Sequence, residues 1–162
     1  MPFPISALEV AEYLLYLDYK TSEKDSSKRE GWEPITNLKL QKLLYYCQAN
    51  SLLSTTTPLF LDKIIAWKYG PVVEEVYNTY SDYKADILYQ KIAIKIPPKI
   101  DEVHSKSIKH IYDTFNDENG KTLVNRTHNE TPWIHAFYTL GVYSEIKPKS
   151  IYEYFRNKTD HL

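Results

Sequence analysis

The sequence predicts a mainly α-helical, single-domain protein packed around one central apolar helix, with a minor two-stranded β element. Three observations carry this. The stretch ITNLKLQKLLYYCQAN, Ile35 to Asn50, holds only two charged residues, Lys39 and Lys42, in a chain that is 25% charged. Helix-start signals followed by apolar residues at 3.6-residue spacing recur along the chain. Two short runs rich in isoleucine supply the extended segments. A length of 162 residues is that of one domain, able to bury a core without disulfides or metal staples.

Taken in order, Ser6-Ala-Leu-Glu9 is a capping box in which each residue satisfies the other's amide. The helix it starts places Leu8, Val10, Ala11, Leu14, Leu15 and Leu17 in one wide apolar sector, away from Glu9, Glu12, Tyr13 and Tyr16. TSEKDSSKREG, residues 21–31, has no apolar residue and reads as an exposed polar loop. The central helix spans about residues 37–53, capped by Thr36 or Asn37. Leu40, Leu43, Leu44 and Cys47 line one side of it, and Leu38, Tyr45, Ala49 and Leu52 nearly the opposite side. A helix apolar on two faces must be covered on both. The narrow sector left over carries Lys39, Lys42, Tyr46 and Asn50, while Gln41 and Gln48 point the same way.

Ile64, Ile65 and Trp67 favour extended backbone over about residues 63–67, and Gly70-Pro71 is a turn that can also open a helix through Glu74, Glu75 and Tyr80. KIAIKIPP alternates Ile92, Ile94 and Ile96 with other residues before a proline pair, a half-buried strand over about residues 91–96 that can pair with the first. Asp101 caps a helix with His104, Ile108, Ile111 and Phe115 on one face. Short helices are expected over residues 121–127, 131–138 and 149–155.

The chemistry is sparse. His104 lies on an apolar helix face, which marks a hydrogen-bonded core histidine rather than a ligand. His128-Asn-Glu130 is a compact polar cluster ahead of Pro132-Trp133. His128 and Glu130 could form a proton-transfer pair or metal ligands, or the segment could simply cap and join two helices through Thr127, Glu130 and Thr131. One histidine and one carboxylate do not complete a metal site, so neither a catalytic set nor a cofactor is expected. Cys47, the single cysteine, belongs to an apolar face and is expected to be inert. Glycine-rich phosphate loops, paired-cysteine motifs and a G-x-S-x-G elbow are missing from the sequence.

A net charge of −1 gives no general attraction to nucleic acid. Lys147, Lys149, Arg156 and Lys158 are interleaved with Glu145, Glu153 and Asp160, the pattern of a solvated helix. No basic leader or long apolar run supports export or membrane spanning, so a cytoplasmic protein is expected. Fifteen tyrosines suit partly buried and partner-facing positions.

Three segments in order, ITNLKLQKLLYYCQA, AWKYGPVVEEVY and THNETPW, resemble the Panacea domain, also called the SocA-like antitoxin domain and found in many phage-associated proteins. The resemblance runs from about Thr36 to Phe155. It implies a mostly helical domain that neutralises a protein toxin by direct binding, with a proteolytic adaptor role as the first alternative. The second alternative, of another class and read from the residues alone, is a metal-dependent hydrolase using His128 and Glu130. A promoter-binding regulator ranks third. The matching positions are Trp67, Lys68, Tyr69, Gly70, Pro71, His128, Glu130 and Trp133. Of these, Trp67, Gly70, Pro71 and Trp133, with Leu40, Leu43 and Leu44, are read as scaffold. Lys68, Tyr69, His128 and Glu130, with exposed Tyr77, Tyr80 and Tyr83, are the candidates for toxin contact.

Overall fold

A computed structural model describes residues 3–158 and residue 162; Asp160, counted above among the C-terminal charges, lies outside them. Helix α1 (Ala7–Ser22) begins at the expected capping box, with the Ser6 Oγ accepting from the Glu9 amide at 3.1 Å and Glu9 Oε1 accepting from the Ser6 amide at 3.1 Å. The polar loop starts later than its composition suggests. Thr21 belongs to α1 and is buried, its hydroxyl 2.7 Å from that of Tyr112, so the exposed stretch begins at Glu23. Asp18 on the same helix is fully buried and accepts from the Trp32 indole, the Ile35 amide and the Tyr112 hydroxyl.

Helix α2 (Asn37–Thr55), capped by Thr36, is the central element as expected, and neighbours surround it. Leu40, Leu43 and Leu44 are fully buried, each such side chain contributing roughly 1.5–3 kcal/mol. Two readings of its faces are corrected. Leu38, placed on an apolar side, points outward, and the narrow sector left over is not a polar margin: Lys39, Lys42 and Tyr46 are all buried. Backbone oxygens compensate the two ammonium groups, Lys39 Nζ donating to the Glu33 carbonyl at 2.7 Å and Lys42 Nζ to that of Pro71 at 2.8 Å. Gln48 fastens the irregular chain after α2, its Oε1 accepting from the Leu59 amide and its Nε2 donating to the Phe60 carbonyl.

The sheet has three antiparallel strands in the order β2-β1-β3: β1 (Ile64–Trp67), β2 (Gly70–Val72) and β3 (Glu145–Ile146). The first expected strand is therefore present, but its partners are not residues 91–96. That segment is irregular; Ile92 and Ile94 pack against the core while Ile96 is exposed. The alternation records one-sided burial without a ladder. Pro71 likewise sits in β2, and α3 (Glu74–Tyr80) starts after it, with Val73 at the cap.

Helix α4 (Glu102–Phe115) is capped by Asp101 and buries His104, Ile108, Ile111 and Phe115. Helix α5 (Gly120–Thr127) follows an Asn119 cap, and α6 (Thr131–Ile134) carries Pro132 in its first turn. The chain then forms a π-helical turn, His135–Leu140, stopped by Gly141 at φ +117°. Helix α7 (Pro148–Arg156) closes the fold against α2. No helix among the described residues is long and apolar enough to cross a membrane.

Candidate functional site: a groove beside the Gly-Pro hairpin

Strands β1 and β2 form a hairpin whose two-residue turn is Lys68-Tyr69, with Trp67 facing Gly70 across the ladder. Gly70 has φ +104°, and a Cβ there would meet Thr127 Oγ1 at 2.8 Å and Lys42 Cε at 2.9 Å. Only glycine fits both the backbone and the gap.

Two elements grip this hairpin. From one side, α2 presents a polar row: Lys42 holds the Pro71 carbonyl, Gln41 Oε1 accepts from the Val73 amide at 3.0 Å, and Asn37 Nδ2 donates to the Tyr77 carbonyl at 3.0 Å. Asn37 Oδ1 accepts in turn from Gln41 Nε2 at 3.0 Å, so the row orders itself. Burial in this row pushes the Lys42 amine down to about 7. From the other side comes THNETPW. His128 Nε2–H donates to the Lys68 carbonyl at 2.9 Å, its ring stacks on Trp133 at 4.1 Å, and Trp133 Nε1–H donates to the Trp67 carbonyl at 2.8 Å. The two signature segments are thus one structural unit.

Between the hairpin turn, the first turn of α2 and the end of α3 lies a groove of about 600 Å³. Trp67 and Tyr77 meet edge to face at 4.8 Å in its wall, and Tyr143 approaches Trp67 at 6.2 Å. Lys68, Tyr69 and Lys84 border it. The adjoining 138–143 stretch leaves Tyr138, Leu140, Val142 and Tyr143 exposed, Tyr143 by 68%. These four exposed side chains fall within six residues of one another.

The structure brings Lys68, Tyr69 and Tyr77 together here, with Trp67 among them. Gly70, Pro71 and Trp133 hold the hairpin. Tyr80 departs from expectation: it is buried rather than exposed, and Tyr83 is half-buried against the core, both apart from this groove. The polarity of the 74–83 segment concealed which tyrosines turn inward. His128 and Glu130 do not act on a shared point. His128 addresses the hairpin, whereas Glu130 is buried with the Tyr46 hydroxyl donating to it and Arg126 Nε 3.7 Å away. The expected Glu130 cap is also absent, because its carboxylate turns inward. Among the described residues no three His, Cys, Asp or Glu side chains gather as metal ligands. Cys47 is buried, and burial pushes its thiol well above the ordinary range, which disfavours the thiolate. What the site offers is aromatic area, lysines at a rim and ordered backbone, the materials of recognition.

Sequence reasoning missed Lys42, Leu38, Lys84 and Tyr143 as groove residues. Leu38 and Tyr143 carried a usable signal, since large apolar residues beside a helix cap and after Gly141 have no core to enter.

The family described as Antitoxin SocA-like, Panacea domain matches residues 40–134, a span that includes the groove floor, the hairpin and the Trp133 anchor. A curated relative, Antitoxin SocA of Caulobacter vibrioides (strain NA1000 / CB15N), is 33% identical over 111 residues, covering 62% of this chain and 58% of the relative. No solved structure matches the chain.

Proposed function

The chain belongs to the SocA-like antitoxin family built on the Panacea domain, and on that premise we propose that it is the antitoxin of a toxin and antitoxin pair, neutralising a protein toxin by stoichiometric binding in the cytoplasm. The observation that carries the reading is the groove beside the hairpin, where Lys68, Tyr69 and Tyr77 gather on a rigid support next to an exposed apolar strip. Aromatic anchors on a fixed scaffold suit tight binding, because little side-chain entropy is lost when they are covered. Neutralisation by occlusion needs no reactive group. A hydrolase built on His128 and Glu130 is disfavoured, since each of the two side chains is committed to a different neighbour.

The test is co-expression with the protein encoded beside this gene. The expected result is growth rescue, a co-eluting complex of fixed composition, and an unchanged toxin level. Rescue accompanied by protease-dependent disappearance of the toxin would replace the reading with a proteolytic adaptor. Absence of both rescue and complex would overturn it.

A further inference from the structure

The groove has a charge character that its aromatic walls do not explain. Lys68 and Lys84 stand at its rim, and among the described residues no carboxylate lines it; Lys42, in its floor, is buried with its amine held by the Pro71 carbonyl and adds no free charge. Thr36, Asn37 and Leu38 in the wall are the start of α2, a helix long enough to present positive potential at that end. The backbone is held away from its usual basins in the same place: of the non-glycine residues at positive φ among those described, Lys84 (+51°) and Tyr143 (+68°) both line the groove. Such conformations cluster at ligand clamps.

We propose that this groove receives an internal acidic segment of the toxin, an aspartate or glutamate side chain flanked by apolar residues, with the carboxylate set between Lys68 and Lys84 and the apolar neighbours against Trp67, Tyr77 and Tyr143. A volume of about 600 Å³ accommodates several side chains rather than one. The complementarity is specific. A basic segment would face Lys68 and Lys84 with no carboxylate among the lining residues, and a purely apolar one would cover the two ammonium groups without an anion. The inference rests on the antitoxin reading and adds the chemical class of the segment that is recognised.

The experiment uses the full chain and a display library of random heptapeptides fused at both ends, so that no terminal carboxylate is available. Selected peptides are resynthesised with capped ends and compared with versions carrying Gln for Glu and Asn for Asp. The expected result is enrichment of acidic peptides, with binding weakened at least ten-fold by the amide replacements. The same loss is expected in the Lys68→Glu/Lys84→Glu chain and not in a Lys95→Glu/Lys121→Glu chain of equal charge. All four lysines are exposed, so folding should persist, and thermal unfolding verifies it. No enrichment, no amide effect, or equal loss in both double variants would overturn the inference. Growth rescue with the neighbour-encoded protein is scored in parallel. Rescue by the wild-type chain without any acid preference sinks the groove inference alone, whereas acid-dependent peptide binding without rescue sinks the antitoxin reading.

Discussion

The Tyr46 hydroxyl lies 3.2 Å from both carboxylate oxygens of Glu130. Burial, only partly offset by Arg126 and the neighbouring hydroxyls, raises this carboxyl from an ordinary 4.5 to about 7. The folded chain therefore holds a proton that the unfolded chain releases between these values. Stability from this group is full below about pH 4.5 and declines as pH rises toward 7. Replacing Glu130 with Gln keeps the shape and removes the titration. The variant should match the wild type near pH 5 and melt a few degrees higher at pH 8, on the scale of about 2–4 °C per kcal/mol for a chain of this size. Melting curves that stay parallel across that range would refute the assignment.

Lys42 works in the opposite window. Desolvation lowers it from 10.5 to about 7, so above pH 7 the folded chain has lost a proton that the unfolded chain keeps until about 10.5. Its contribution to stability should therefore rise from pH 7 toward 10. Denaturant midpoints for Lys42→Met should lack this rise when compared with the wild type. An identical pH slope in both chains would show that the amine is not desolvated.

Gly70→Ala tests the grip on the hairpin. The new methyl would lie 2.8 Å from Thr127 Oγ1 at a φ of +104°. A loss of about 1–3 kcal/mol in unfolding free energy is expected from the backbone conformation, with the steric contact adding to it. A change under about 0.5 kcal/mol would mean that the turn relaxes freely.

Tyr69 and Tyr77 separate binding from folding. Tyr69 is 60% exposed, so Tyr69→Ala should alter stability by no more than about 0.5 kcal/mol. Tyr77→Ala should cost somewhat more, because the edge-to-face contact with Trp67 contributes roughly 0.5–1.5 kcal/mol. Both should reduce rescue of toxin-expressing cells by ten-fold or more. Full rescue by both would move the contact surface away from the groove.

The helical frame was readable because its signals are local. The Ser6 and Asp101 caps and the apolar sectors of α1, α2 and α4 each depend on residues a few positions apart. What escaped reading depends on distant chain. Lys39 and Lys42 look like a solvated strip until the carbonyls of Glu33 and Pro71 arrive to hold them, and no periodicity announces that arrival. The β3 strand is two residues long, too short to carry an alternation, while residues 91–96 alternate clearly and find no ladder. The site was half legible. Its motif residues were identifiable, but their convergence with Tyr143 and Lys84 arises only in three dimensions.

Strand β2 forms one border of the sheet, and Pro71 in it offers no amide hydrogen while its oxygen is already taken by Lys42. Two residues on, the Val73 amide is bound to Gln41. This border is consequently blunt, a poor template for a further strand. It also means that whatever docks on this face must do so through side chains, leaving recognition to composition and shape instead of generic main-chain pairing.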